Sequence, residues 1–319
     1  MSQQVVGFTS EYFDALDGEK IYLQTWPGSQ PTLKGVIQVA HGMGETADYY
    51  TEFSQEANKA GFAVYILEAR GHGRTAGDVA LPEYKEKAGD IGVNGFQKMR
   101  DDQFVLTQRI KAAHPGIPVF LLAHSMGSVV ARLYVQSYGS DISGLILTGA
   151  SSASAGTDEL LKIIEREIEA NGWKATAKDA FEAIFRNLNM QFEPVKTQLD
   201  WITSDQSMIE ASLKLPYTYI LFNNQFYYFS FLAQKEIAKA ENLDKIPKSL
   251  PVFLLSGDKD IITDNGTVTR TQYEQFKQVG LTDVQYKLYK DQRHSILREV
   301  NRCEVFSDIF EWLESHIQK

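Results

Sequence analysis

Residues 119–131 read Val119-Phe120-Leu121-Leu122-Ala123-His124-Ser125-Met126-Gly127-Ser128-Val129-Val130-Ala131. The unbroken apolar run suits a strand buried on both faces, and the residues after Gly127 continue as a helix. Between them, a small-x-Ser-x-Gly turn would lift a serine hydroxyl above the edge of a parallel sheet. A helix N-cap is the plainer reading of Ser125, but its place between this strand and this helix marks it as a nucleophile.

Similar short apolar runs occur at 35–40, 63–67, 144–147 and 252–255, with helical segments between them. Phe96, Met99, Leu106, Ile110 and Ala113 share one helical face, as do Phe306, Ile309, Phe310, Leu313 and Ile317 near the end. Strand and helix in alternation predict an α/β fold with a mostly parallel sheet. Lys20 to Trp26 alternates instead and follows Asp17-Gly18, as in an early antiparallel hairpin. After the small-residue stretch 149–156, residues to Lys248 read as helices and loops. The expected organisation is a core of 1–150 and 249–319 with a helical cap inserted at 151–248.

The chain has 319 residues, 43% hydrophobic and 23% charged, within the ordinary range for a folded domain. A net charge of −9 without clustered Lys and Arg argues against a nucleic-acid partner. The single cysteine, Cys303, excludes an internal disulfide and is expected to pack in the core. Without a basic segment leading into an apolar one at the start, the expected location is the cytoplasm. Leu215 to Gln234 is uncharged, but Pro216, Asn223, Asn224 and Gln225 interrupt it, so no transmembrane segment is expected.

A serine needs a base, and there are six histidines. His41 and His72 lie in Gly-rich loops, His114 precedes Pro115, His124 adjoins the nucleophile and His316 sits in the last helix. His294 follows the apolar strand around Val284 to Tyr289, and a loop after that strand opens at the same sheet edge as Ser125. The carboxylate that orients the imidazole comes from Ser256-Gly257-Asp258-Lys259-Asp260. The pattern alone does not separate the two aspartates; the turn starting at Gly257 favours Asp260 and leaves Asp258 to bind turn amides. In Val39-Ala40-His41-Gly42-Met43-Gly44-Glu45 the glycines keep the backbone open, so the N–H groups of Met43 and Met126 are the expected oxyanion donors. No Lys-Ser or Lys-Thr follows, which excludes a phosphate loop.

The order Ser125, Asp260, His294, with 41–45, Glu68-Ala69-Arg70-Gly71-His72-Gly73-Arg74-Thr75 and Ala123-His124-Ser125-Met126-Gly127, resembles the α/β-hydrolase superfamily. Within it, the monoacylglycerol lipase and bacterial lysophospholipase group is most similar. The resemblance covers roughly 36–150 and 251 onward and little of the cap. It implies an eight-stranded, mostly parallel sheet, no cofactor and no metal, and it strengthens Asp260 as the acid. Ala123 stands where that group usually has Gly, and Glu68 where it has Asp in a segment read as structural.

Eight aromatics crowd residues 217–231, among them Tyr217, Tyr219, Phe222, Phe226 and Tyr227. They read either as the cap's own core or as a substrate-binding wall, for which Tyr217, Phe222, Phe226 and Tyr227 are the candidates. The expected activity is cleavage of carboxylic esters such as monoacylglycerols, lysophospholipids or related acyl esters through an acyl-enzyme. The substrate partner is a small ester or lipid, with transient cap contact at a membrane surface allowed. A peptidase using Glu193 or Asp205 to hold a substrate amine is the alternative, and a noncatalytic binding protein on the same scaffold is the second. Dehalogenase and epoxide hydrolase chemistry need a carboxylate where Ser125 stands.

Overall fold

The computed structural model describes residues 7–28, 33–154, 156–217 and 221–317. Eight strands form one sheet: β1 (Thr9–Asp14), β2 (Lys20–Trp26), β3 (Gly35–Ala40), β4 (Phe62–Leu67), β5 (Val119–His124), β6 (Gly144–Thr148), β7 (Val252–Gly257) and β8 (Val284–Tyr289). Their spatial order is β1-β2-β4-β3-β5-β6-β7-β8. Pairings from β4 to β8 are parallel, and the β1-β2 hairpin adds to β4 antiparallel. Both faces of β2 are largely buried although its sequence alternates; exposed residues lie on the edge strands β1 and β8.

The helices are α1 (Thr51–Ala60), α2 (Tyr84–Lys87), α3 (Gly95–Ala113), α4 (Met126–Tyr138), α5 (Thr157–Asn171), α6 (Lys178–Phe185), α7 (Gln206–Lys214), α8 (Asn224–Ile237), α9 (Ala240–Leu243), α10 (Thr267–Gln278) and α11 (Arg302–Ser315). Successive strand residues feed opposite layers. Leu121 joins the core under α3, α4, α8 and α10, whereas Phe120 and Leu122 join the core under α1 and α11. Every second residue meeting a different apolar layer is why such strands read as unbroken apolar runs.

Between β6 and β7 the described residues hold α5 to α9 and no strand of the sheet. Phe226, Ala233 and Ile237 on one side of α8 enter the same core as α3 and α4, which docks this insertion on the sheet. Cys303 is exposed, contrary to the core position expected of it. α11 buries Val305, Phe306, Ile309, Trp312 and Leu313, and two residues before Val305 points to the opposite side of a helix.

β3 lies between β4 and β5, so chain direction across the sheet reverses there and opens a crevice at the strand C-termini. The register places Ala40 beside Ala123, His124 beside Thr148, and Gly257 beside Tyr289. The loops after β3, β5, β7 and β8 therefore open on one edge.

Candidate active site

β5 ends at His124 and α4 begins at Met126, so Ser125 makes the turn alone. Its φ of 50° and ψ of −117° form a strained conformation for a residue with a Cβ. The turn is held by the Ser125 N–H, which donates to the Thr148 carbonyl at 3.0 Å. Gly127 then packs against the end of β3, where a Cβ would lie 2.0 Å from the Ala40 carbonyl oxygen. That approach brings the first turn of α4 against the loop carrying Met43. Neither the Met43 nor the Met126 N–H has an acceptor among the described residues.

His294 Nε2 lies 2.8 Å from Ser125 Oγ, and its Nδ1 lies 3.0 Å from both oxygens of Asp260. A carboxylate can only accept, so Nδ1 carries the proton and the Nε2 lone pair accepts from the serine hydroxyl. Asp260 is fully buried at the start of a short turn, where its side chain also accepts from the Ile262 N–H at 2.9 Å. Burial alone would raise its carboxyl; the neighbouring His294 and these hydrogen bonds outweigh that and hold it below the ordinary range. Asp258, the aspartate the pattern left open, accepts the Asp291 N–H at 2.7 Å and so fixes a turn.

The loop carrying His294 is stitched to the helices between β6 and β7. Ser295 N–H donates to the Ile202 carbonyl at 2.7 Å, and the Arg293 guanidinium donates to the carbonyls of Asp200 and Thr203. These bonds seat Trp201 with its ring centroid 5.2 Å from that of His294, backed by Phe185 and then Phe181. The four cap aromatics expected at the substrate do not include Trp201, the cap ring that stands against His294. Phe222 packs at a tilt against His72, Phe226 at a tilt against Phe96, and Tyr227 lies in the core, all three buried. Tyr217 sits under the Arg74 guanidinium and against Tyr84, and Tyr219 lies outside the described residues. The apolarity of Phe222, Phe226 and Tyr227 is used to dock α8 and the residue leading into it.

Other motif residues brace the site. Glu68 accepts from the Ala47 N–H and from Arg74, and His41 Nε2 accepts from the Ala69 N–H at 2.8 Å. The sequence pattern assigns no separate role to Glu45, Trp201 or Ser295. Glu45 sits in the Gly-rich loop and could have been found there, whereas nothing local marks a tryptophan whose partner is 93 positions away. Among the described residues no group of His, Cys, Asp or Glu could hold a metal ion, and no helix is long and apolar enough to cross a membrane.

The family profile described as serine aminopeptidase, S33 (Hydrolase_4) matches residues 31–301. The chain belongs to this family. Among relatives of this S33 member, a monoacylglycerol lipase of Mycolicibacterium smegmatis is 24% identical over 96% of both chains. The human monoglyceride lipase is 24% identical over 93% of this chain and 88% of its own. A thermostable carboxyl esterase from Bacillus coagulans, solved with glycerol, is 28% identical with a TM-score of 0.87, covering 98% of this chain and 99% of the other. The S33 member is thus an α/β-hydrolase resembling monoacylglycerol lipases, with the eight-stranded, mostly parallel sheet expected of it.

Proposed function

We propose that this carboxylic ester hydrolase cleaves small acyl esters of the monoacylglycerol or lysophospholipid kind, with Ser125, His294 and Asp260 as its catalytic residues. The observation that carries the reading is the line from Asp260 through His294 to Ser125 Oγ, with contacts of 3.0 and 2.8 Å. Ser125 Oγ attacks the ester carbonyl carbon while His294 Nε2 takes its proton, and Asp260 stabilises the resulting imidazolium. The N–H groups of Met43 and Met126 receive the oxyanion. His294 returns the proton to the departing alcohol, then draws one from water as it attacks the acyl-enzyme, releasing the acid and restoring Ser125.

Trp201, Phe185 and Phe181 offer an apolar surface beside the base, in keeping with an acyl chain. The relatives named as monoacylglycerol and monoglyceride lipases support the same class. In this reading residues 151–248 act as the cap, and exposed Phe181, Met190 and Leu221 suit transient contact with a lipid surface. The family's description also names an aminopeptidase, but the acids weighed for a substrate amine do not favour it. Asp205 caps α7 and pairs with Arg302 at 3.0 Å, and Glu193 is exposed.

Ser125→Ala is expected to abolish ester hydrolysis and fluorophosphonate labelling together. Turnover of nitrophenyl esters is expected to rise with acyl length beyond acetate. Full activity in Ser125→Ala overturns the mechanism, and a profile limited to acetate overturns the substrate class.

A further inference from the structure

We infer that Glu45, His124 and Ser295 form a positioning network that couples the loop after β3 to the loop carrying the base; the inference rests on His294 being that base. His124 is buried, and its Nδ1 lies 3.1 Å from the Thr148 carbonyl oxygen and 3.0 Å from Thr148 Oγ1. Because a carbonyl only accepts, Nδ1 carries the proton and Nε2 offers a lone pair. Ser295 Oγ, 3.1 Å away, donates to that lone pair.

Ser295 is the chain neighbour of His294, and its N–H is already committed to Ile202 at 2.7 Å. With backbone and hydroxyl both held, residue 295 has little freedom to turn the base away from Ser125. The two imidazoles also lie against each other, their centroids 4.8 Å apart. Glu45 Oε1 stands 3.7 Å from the same Nε2, a packing contact beyond hydrogen-bond distance, and the His124 ring and the Glu45 carboxylate close together on Gly42. Glu45 Oε2 accepts the Gly42 N–H at 2.7 Å and the Tyr50 hydroxyl at 2.7 Å. Gly42 immediately precedes Met43, so this carboxylate sets the path of the backbone whose next N–H faces the oxyanion. His124 thus touches both loops on which the transition state depends, without itself reaching the reacting atoms. Side chains that hold reactive groups in register act on kcat more than on substrate binding.

The test is a double-mutant cycle on a nitrophenyl ester with Ser295→Ala, His124→Phe and the pair. Each single change is expected to lower kcat about tenfold with KM within about twofold, and the pair to lower it about tenfold rather than a hundredfold. Glu45→Ala is expected to show the same split. His124→Gln, whose amide oxygen reaches the place of Nε2, is expected to recover most of kcat, which a residue needed only for packing would not show. Multiplying single effects, an unchanged kcat in Ser295→Ala, or no recovery in His124→Gln overturns the network. Should His124→Phe not fold, Ser295→Ala alone decides, since a wild-type kcat there is incompatible with it. Ser125→Ala run in parallel separates the two readings: if it stays active the mechanism fails, whereas if it is dead while Ser295→Ala is unimpaired only the network fails.

Discussion

Gly127 approaches Ala40 so closely that a Cβ on the glycine would lie 2.0 Å from the alanine's carbonyl oxygen. The turn at Ser125 and the end of β3 are therefore one packed unit. Gly127→Ala must push α4 away from β3, a strain of about 3 kcal/mol. Urea denaturation should show a loss of that order, and kcat should fall because Met126 and Met43 no longer converge. A variant of normal stability and normal rate is inconsistent with the contact.

The two aspartates of the β7 loop are expected to differ sharply. Asp260→Asn removes the carboxylate that fixes the His294 tautomer, with an expected fall in kcat of about 10⁴-fold. Asp258→Asn only weakens the bond to the Asp291 N–H, and activity should stay within about threefold. Steady-state rates on one ester decide, and equal effects would reverse the assignment.

Stability should decline with acid well above the carboxylate range. Burial of the imidazolium pulls His124 from 6.5 to about 4, and burial with the neighbouring His41 pulls His72 from 6.5 to about 3. The unfolded chain takes up these protons near pH 6.5 while the folded chain does not, so stability is full above pH 6.5 and is lost as pH falls toward 4. Asp260, held below its usual range, adds a further loss below about pH 4. Urea midpoints measured from pH 7 to 4 should slope downward, less steeply in His72→Asn. A flat profile would mean these rings are not buried neutral.

Trp201 owes its place to bonds from Ser295 N–H and the Arg293 guanidinium to the carbonyls of Asp200, Ile202 and Thr203, so its ring can be removed without cutting them. Trp201→Ala is expected to lower kcat/KM for long acyl chains about tenfold more than for acetate, with Trp201→Phe in between. Equal losses across chain lengths would remove it from the substrate wall.

Arg132 is fully buried in α4, with one long bond from Nη1 to the Ser151 carbonyl at 3.5 Å. Its Nε and Nη2 have no partner among the described residues, and burial pulls its pKa down to about 10. Arg132→Met keeps the volume without the charge and is expected to gain about 1–3 kcal/mol of stability in urea denaturation. A large loss would show that the guanidinium is compensated.

Strands with both faces covered announce themselves locally, which is why the run 119–124 and the turn after it could be read directly. Ser125 follows such a strand, whereas His294 follows the edge strand β8, where Gln285 and Tyr286 are exposed; both were legible because parallel strands deliver their following loops to one edge. Asp258 and Asp260 were harder, since two carboxylates two residues apart differ only in where the turn points them. Phe222, Phe226 and Tyr227 could not be assigned, because a buried docking face and a substrate wall have the same composition.

The sequence by itself determined the α/β architecture, the inserted helices and the candidate nucleophile and base, because those depend on periodicity and on short-range turn chemistry. Only the tertiary structure decided which ring stands on His294, which glutamate braces the loop after β3, and that Cys303 faces outward. Those are matters of contact between residues remote along the chain and of helix rotation, which no local pattern encodes.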